Sequence, residues 1–122
     1  MALELNEQQL EIIREVRENL KERFEGVPGK GSAYLCCQVL AAVGRRYDCD
    51  DPRCRNDLPE EAQPTFIEIQ GAINEAINYQ PTMGSFIRGL ELDINLWEVQ
   101  NIVAPLARLA WLDRMIETRV IA

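Results

Sequence analysis

No histidine occurs among the 122 residues. Its absence removes the commonest general base, the commonest metal-ligating nitrogen and the side chain that titrates near neutral pH. A serine or cysteine nucleophile then has no imidazole to activate it, so the expectation is a protein that is not an enzyme. Long apolar runs are also missing: no stretch approaches the roughly 18 uncharged apolar residues of a membrane-spanning helix. The segment Met1 to Gln9 has no basic region followed by an apolar one, which points to a cytoplasmic product. Bases number 13 against 20 acids, for a formal net charge of −7. Phosphate binding needs a basic footprint, and direct nucleic-acid binding is therefore not expected.

The composition that remains is that of a globular chain, 47% apolar and 27% charged, long enough for one domain over 1–122. Its charge is uneven. Residues 1–46 hold seven acids and seven bases, whereas residues 47–98 hold eleven acids against Arg53, Arg55 and Arg88. Residues 99–122 carry a net +1. An acidic middle segment suits capture of a partner with a basic surface, through Asp48, Asp50, Asp51, Glu60 and Glu61. The alternative for the same residues is a solvated face that maintains solubility.

Periodicity and caps predict an all-α bundle of about five helices. The first opens at Asn6, with Gln9 as its capping-box partner, and carries the stripe Gln9, Ile13, Val16, Leu20 and Phe24. Gly26 to Gly31 stops it and reads as a flexible connection. Ser32 caps a second helix through about Val43, apolar on every side except Gln38, which belongs in the middle of a bundle with Leu35, Val39 and Leu40 buried. Residues 47–64, with three prolines, form a long irregular loop. Thr65 with Glu68 opens a third helix (Phe66, Ile69, Ile73, Ile77), Thr82 with Ser85 a fourth, and Asn95 with Glu98 the last.

The final helix has two apolar sides. One carries Val99, Ile102, Val103, Leu106, Leu109, Ala110, Ile116 and Val120; the other carries Trp97, Ala104, Trp111 and Met115. Pro105 inside it should kink or restart the helix. Tryptophan and methionine favour interface cores, so Trp97, Trp111 and Met115 are candidate partner contacts. Two other uses of that stripe stand beside this one: core packing inside the chain, and the seam of a homodimer.

Residues 26–32, Gly-Val-Pro-Gly-Lys-Gly-Ser, lack the spacing of a phosphate loop. Asp48, Asp50 and Asp51 run into Pro52 and Arg53, where a calcium loop would need further oxygen donors. Four cysteines without histidine do not complete a zinc shell, and no metal or other cofactor is expected. Cys36 and Cys37 read as small core hydrophobes. Cys49 and Cys54 are open to three states: free thiols, a bridge across Pro52, or a metal- or redox-sensing pair.

The run Gly31-Ser32-Ala33-Tyr34-Leu35-Cys36-Cys37-Gln38-Val39-Leu40, followed by an acidic loop with prolines and short helices, resembles small accessory proteins of tailed bacteriophages. The resemblance covers about a dozen residues and brings no catalytic residues with it. It implies a host-takeover or anti-defence protein that acts in the host cytoplasm by binding and blocking a bacterial factor. The leading expectation is thus a small acidic protein-binding module of that inhibitor or accessory type. A self-associating regulatory subunit and a cysteine-based sensor are its rivals.

Overall fold

The computed structural model describes residues 2–77 and 104–122. The expected fourth helix, the Asn95–Glu98 capping box and Trp97 lie outside the described residues. Within them the chain is helical, with α1 (Glu7–Phe24), α2 (Leu35–Arg46), α3 (Gln63–Ile77) and α4 (Ala104–Thr118). A short antiparallel pair, β1 (Leu3–Glu4) and β2 (Val120–Ile121), ties the two ends together. Four helices and a two-stranded ribbon, rather than helices alone, are therefore what the described residues form. No helix among them is long and apolar enough to cross a membrane.

α1 begins as its sequence dictates. The Asn6 side chain accepts from the Gln9 amide at 2.8 Å, and the Asn6 amide donates to the Gln9 side chain at 3.0 Å. Two amides that have no partner within the helix are thereby satisfied. The helix ends with Gly26 at φ 85°, while the Val27 amide reaches the Glu22 carbonyl at 3.0 Å. That left-handed position after the last turn is one glycine occupies without strain. α1 packs against both α2 and α4, and so buries Leu10 and Ile12 besides the expected Gln9, Ile13, Val16 and Leu20. α2 meets α1 on one side and α3 on another, and β2 lies against α3 and α4. The core is thus shared by all four helices, with Leu112 and Met115 from α4 and Ile69 and Ile73 from α3.

The glycine segment is not a loose connection. Gln38, buried in α2, donates to the carbonyls of Lys30 (2.7 Å) and Ser32 (2.5 Å) and accepts from the Asn19 amide at 2.5 Å. Asn19 also donates to the Lys30 carbonyl at 2.7 Å, and Arg23 donates to the Gly31 carbonyl. One buried polar side chain therefore fixes the path between α1 and α2. Gln38→Leu should cost about 1–3 kcal/mol, because the Ser32 carbonyl loses the donor shown here and the Asn19 side chain loses its acceptor in Gln38, while shape is nearly kept. Chemical denaturation measures this, and a loss under about 0.5 kcal/mol would show that water replaces the amide readily.

Several sequence expectations need correction. α2 starts at Leu35 rather than at a Ser32 cap; Ser32 Oγ instead accepts from the Tyr34 amide at 3.0 Å, a local turn bond. Burial in α2 begins one turn later, at Gln38, so Leu35 is half-buried and Cys36 and Cys37 are exposed. The 47–64 stretch contains two short 3-10 turns, Arg55–Asp57 and Glu60–Ala62, and contributes buried Leu58 and Ala62 to the core. The second turn leads into α3 at Gln63, which places Pro64 in the first turn, where it lacks nothing. Thr65 is then inside the helix, its hydroxyl 3.4 Å from that of Tyr47, and is not a cap.

α4 differs most. Pro105 is buried. The buried side chains of the helix follow as Leu112 and Met115, with Leu109, Trp111 and Ile116 partly covered. Leu106, on the first of the two expected apolar sides, is 62% exposed, and Met115, on the other, is 1% exposed, as core packing of that stripe requires. Val120 belongs to β2, because Arg119 at φ 59° turns the chain out of the helix. Arg17 of α1 grips Asp113 of α4 through two guanidinium nitrogens, at 2.8 and 3.4 Å, and that carboxylate raises Arg17 above its ordinary value.

Candidate interaction surface

The outer side of α3 is built by a single helical repeat. Ala62, Ile69, Ile73 and Ala76 face the core. Glu60, Glu61, Pro64, Ile67, Glu68 and Gly71 are exposed and recur at three- and four-residue spacing, which sets them along one stripe. Ile67 keeps 48% of its surface open in the middle of that stripe. Between residues 58 and 77 the chain has four glutamates and no base. Glu60, Glu61 and Glu68 have no ion-pair partner among the described residues.

On α1 the arrangement is the reverse. Glu7 pairs with Arg119, Glu15 with Arg45, Glu18 with Arg17, Glu22 with Lys30 and Glu25 with Lys21, at 2.6 to 3.5 Å. Neutralised carboxylates of that kind project little field, whereas unmatched ones add together. Among the described residues, Glu60, Glu61 and Glu68 are thus unpaired carboxylates gathered on α3 and the turn before it.

The five acidic candidates fall into two settings. Glu60 and Glu61 head the α3 stripe. Asp48, Asp50 and Asp51 are exposed as well, but they lie among Arg45, Arg46, Arg53 and Arg55. Residues 45–57 hold four arginines and four aspartates, a balanced segment. Asp48 also shapes the backbone. At φ 55° it reverses the chain after α2, and the Cys49 amide then reaches the Gly44 carbonyl at 2.9 Å. Asp57 accepts from the Arg53 amide at 2.8 Å, closing the same loop on itself. Ile67 and Glu68 stand seven residues on from Glu60 and Glu61, about two helical turns, a spacing that is legible in the sequence.

Trp111 is partly buried against the core and lines a shallow open groove of about 250 Å³ with Arg114, Met115, Thr118, Val120 and Ala122. Met115 contributes there only at the floor, since its side chain belongs to the core. The structure therefore does not bring Trp111 and Met115 out as a free second face. Cys49 is half-buried and its thiol donates to the Asp57 carbonyl at 3.4 Å, while Cys54 is exposed; all four cysteines are free. No group of three metal-ligating side chains occurs among the described residues. Neither protein-family models, nor curated proteins, nor solved structures match this chain.

Proposed function

We propose that the protein is a binding module that docks a basic segment of another protein on the outer face of α3. The observation that supports this reading is the unmatched carboxylate stripe of Glu60, Glu61 and Glu68 around exposed Ile67, on a molecule whose other acidic helix is largely paired. Such a stripe attracts cations during encounter, and a central apolar residue gives the bound partner something to cover. The partner in this reading is not a second copy. An isologous contact across α3 would set one acidic stripe against the same acidic stripe of the other copy. A role as an inhibitor or accessory factor, of the kind the phage resemblance implies, needs no chemistry beyond occupying a basic surface.

The test uses a lysine- and arginine-rich amphipathic peptide as probe, with stopped-flow association at several salt concentrations. Exchanging Glu60, Glu61 and Glu68 together for lysine should weaken binding by about tenfold or more at low salt, since each rim charge contributes up to roughly 0.5–1 kcal/mol. The loss should appear mainly in the association rate and fade as salt screens the face. The same exchange at Asp48, Asp50 and Asp51 should matter less, because they lie outside the α3 stripe in a segment with as many arginines as aspartates. If the α3 variant binds the peptide as the parent does at low salt, the stripe only serves solubility.

A further inference from the structure

Gly71 stands in the middle of α3 and is exposed. Glycine is poorer than alanine in a helix interior, because it gives up more backbone freedom and packs against nothing. Its usual reasons do not apply at this position. Gly71 is not among the glycines with positive φ, and an added Cβ would meet nothing within 4 Å. No close approach among the described residues therefore calls for a glycine there.

Its neighbours on the helix surface supply a reason. Pro64, Ile67, Glu68 and Gly71 follow one another at the spacing i, i+3, i+4 and i+7, and all four are exposed. Four residues so arranged make the hole that receives one side chain of a facing helix. Pro64 and Ile67 give this hole apolar walls, while Gly71 leaves one corner at the level of the backbone. Helix axes come closest, to about 8 Å, where the contact residues are small. Charge narrows the choice of helix. Glu60 and Glu61 in the turn before α3, and Glu68 in the hole itself, have no ion-pair partner among the described residues. A helix places an apolar side chain and the basic ones three and four residues away on one face, whereas an extended segment sets successive side chains on opposite faces.

We propose that α3 receives a basic amphipathic helix, one apolar side chain of which seats over Gly71 in the hole it forms with Pro64, Ile67 and Glu68. This rests on the reading of α3 as the docking face and adds the shape of what docks there. Gly71 determines specificity, because a larger side chain would fill the space the partner's side chain takes.

Full-length protein is titrated at low salt with a fluorescent, lysine-rich amphipathic peptide held helical by a side-chain staple, and with the same peptide broken by a central proline. Gly71→Leu should weaken the stapled peptide by about tenfold or more, read by anisotropy, and leave the proline peptide unchanged. Its melting temperature should not fall, since leucine is the better helix former and a Cβ there meets open space. Gly71→Ala, with less bulk, should weaken the stapled peptide less. If the lysine exchange at Glu60, Glu61 and Glu68 weakens binding while Gly71→Leu binds the stapled peptide as the parent does, the hole is unused and the helix assignment falls with the docking face intact. Indifference to both variants removes the docking face as well. Equal weakening of both peptides by Gly71→Leu would show an occupant that need not be helical, and overturns the assignment too.

Discussion

Leu112→Ala should lower the unfolding free energy by about 2–5 kcal/mol, whereas Leu106→Ala, six residues earlier in the same helix, should cost no more than about 0.5 kcal/mol. Leu112 is wholly buried between α4 and its neighbours, in the cluster that includes Ile13, Val16, Ile73 and Ile121. Truncating it removes the transfer free energy of the lost carbons and leaves a cavity that helices joined by several contacts cannot fully collapse. Leu106 keeps 62% of its surface in solvent and has little burial to lose. Urea denaturation of both variants checks this. Equal losses would mean that α4 presents a different face to α1 than the one described. The Arg17–Asp113 pair offers an internal check, since it joins α1 and α4 on the flank of that contact and breaks if α4 rotates.

How much of the fold is legible in the sequence depends on how local each cause is. The Asn6–Gln9 cap and the α1 stripe are legible because both rest on spacing inside one helix. α3 is legible as a helix, but the pattern puts its start at Thr65, since a capping motif competes with a 3-10 turn that leads straight into Pro64. The two faces of α4 are misassigned for a related reason. A single helical wheel carried from Trp97 to Val120 runs past Arg119, where the chain is no longer helical. The β1–β2 ribbon is illegible: two residues per strand show no alternation, and their pairing joins Leu3 to Ile121 across almost the whole chain.

The candidate surface is half legible for a different reason. Counting charge by segment finds the acidic middle of the chain but divides it at residue 47, which separates Asp48, Asp50 and Asp51 from Arg45 and Arg46. A count over residues 45–57 instead balances four arginines with four aspartates, which leaves Glu60, Glu61 and Glu68 as the acidic run without a nearby base in sequence. Cys36 and Cys37 read as core because every side of α2 is apolar in composition. Burial is decided instead by how far along α2 its neighbours reach, and that is a property of packing rather than of pattern.

Gly44→Ala should destabilise the protein by about 1–3 kcal/mol, while Gly71→Ala should stabilise it by about 0.5–1 kcal/mol. The two glycines are both helical and would respond alike if helix propensity alone decided. Their surroundings differ. A Cβ on Gly44 would lie 2.7 Å from the Cys49 carbonyl oxygen and 2.9 Å from Cγ of Pro52. Neither neighbour retreats easily. The Cys49 amide is bonded to the Gly44 carbonyl at 2.9 Å, and Pro52 is a rigid, buried ring. Making room means opening the turn at Asp48, and with it the approach of the 47–64 loop that buries Leu58 and Ala62. At Gly71 a Cβ meets nothing within 4 Å, so the substitution only removes conformational freedom from the unfolded chain. Denaturation midpoints of the two variants, moving in opposite directions, are the expected result. A stabilised Gly44→Ala protein would show that the loop does not lie against the end of α2.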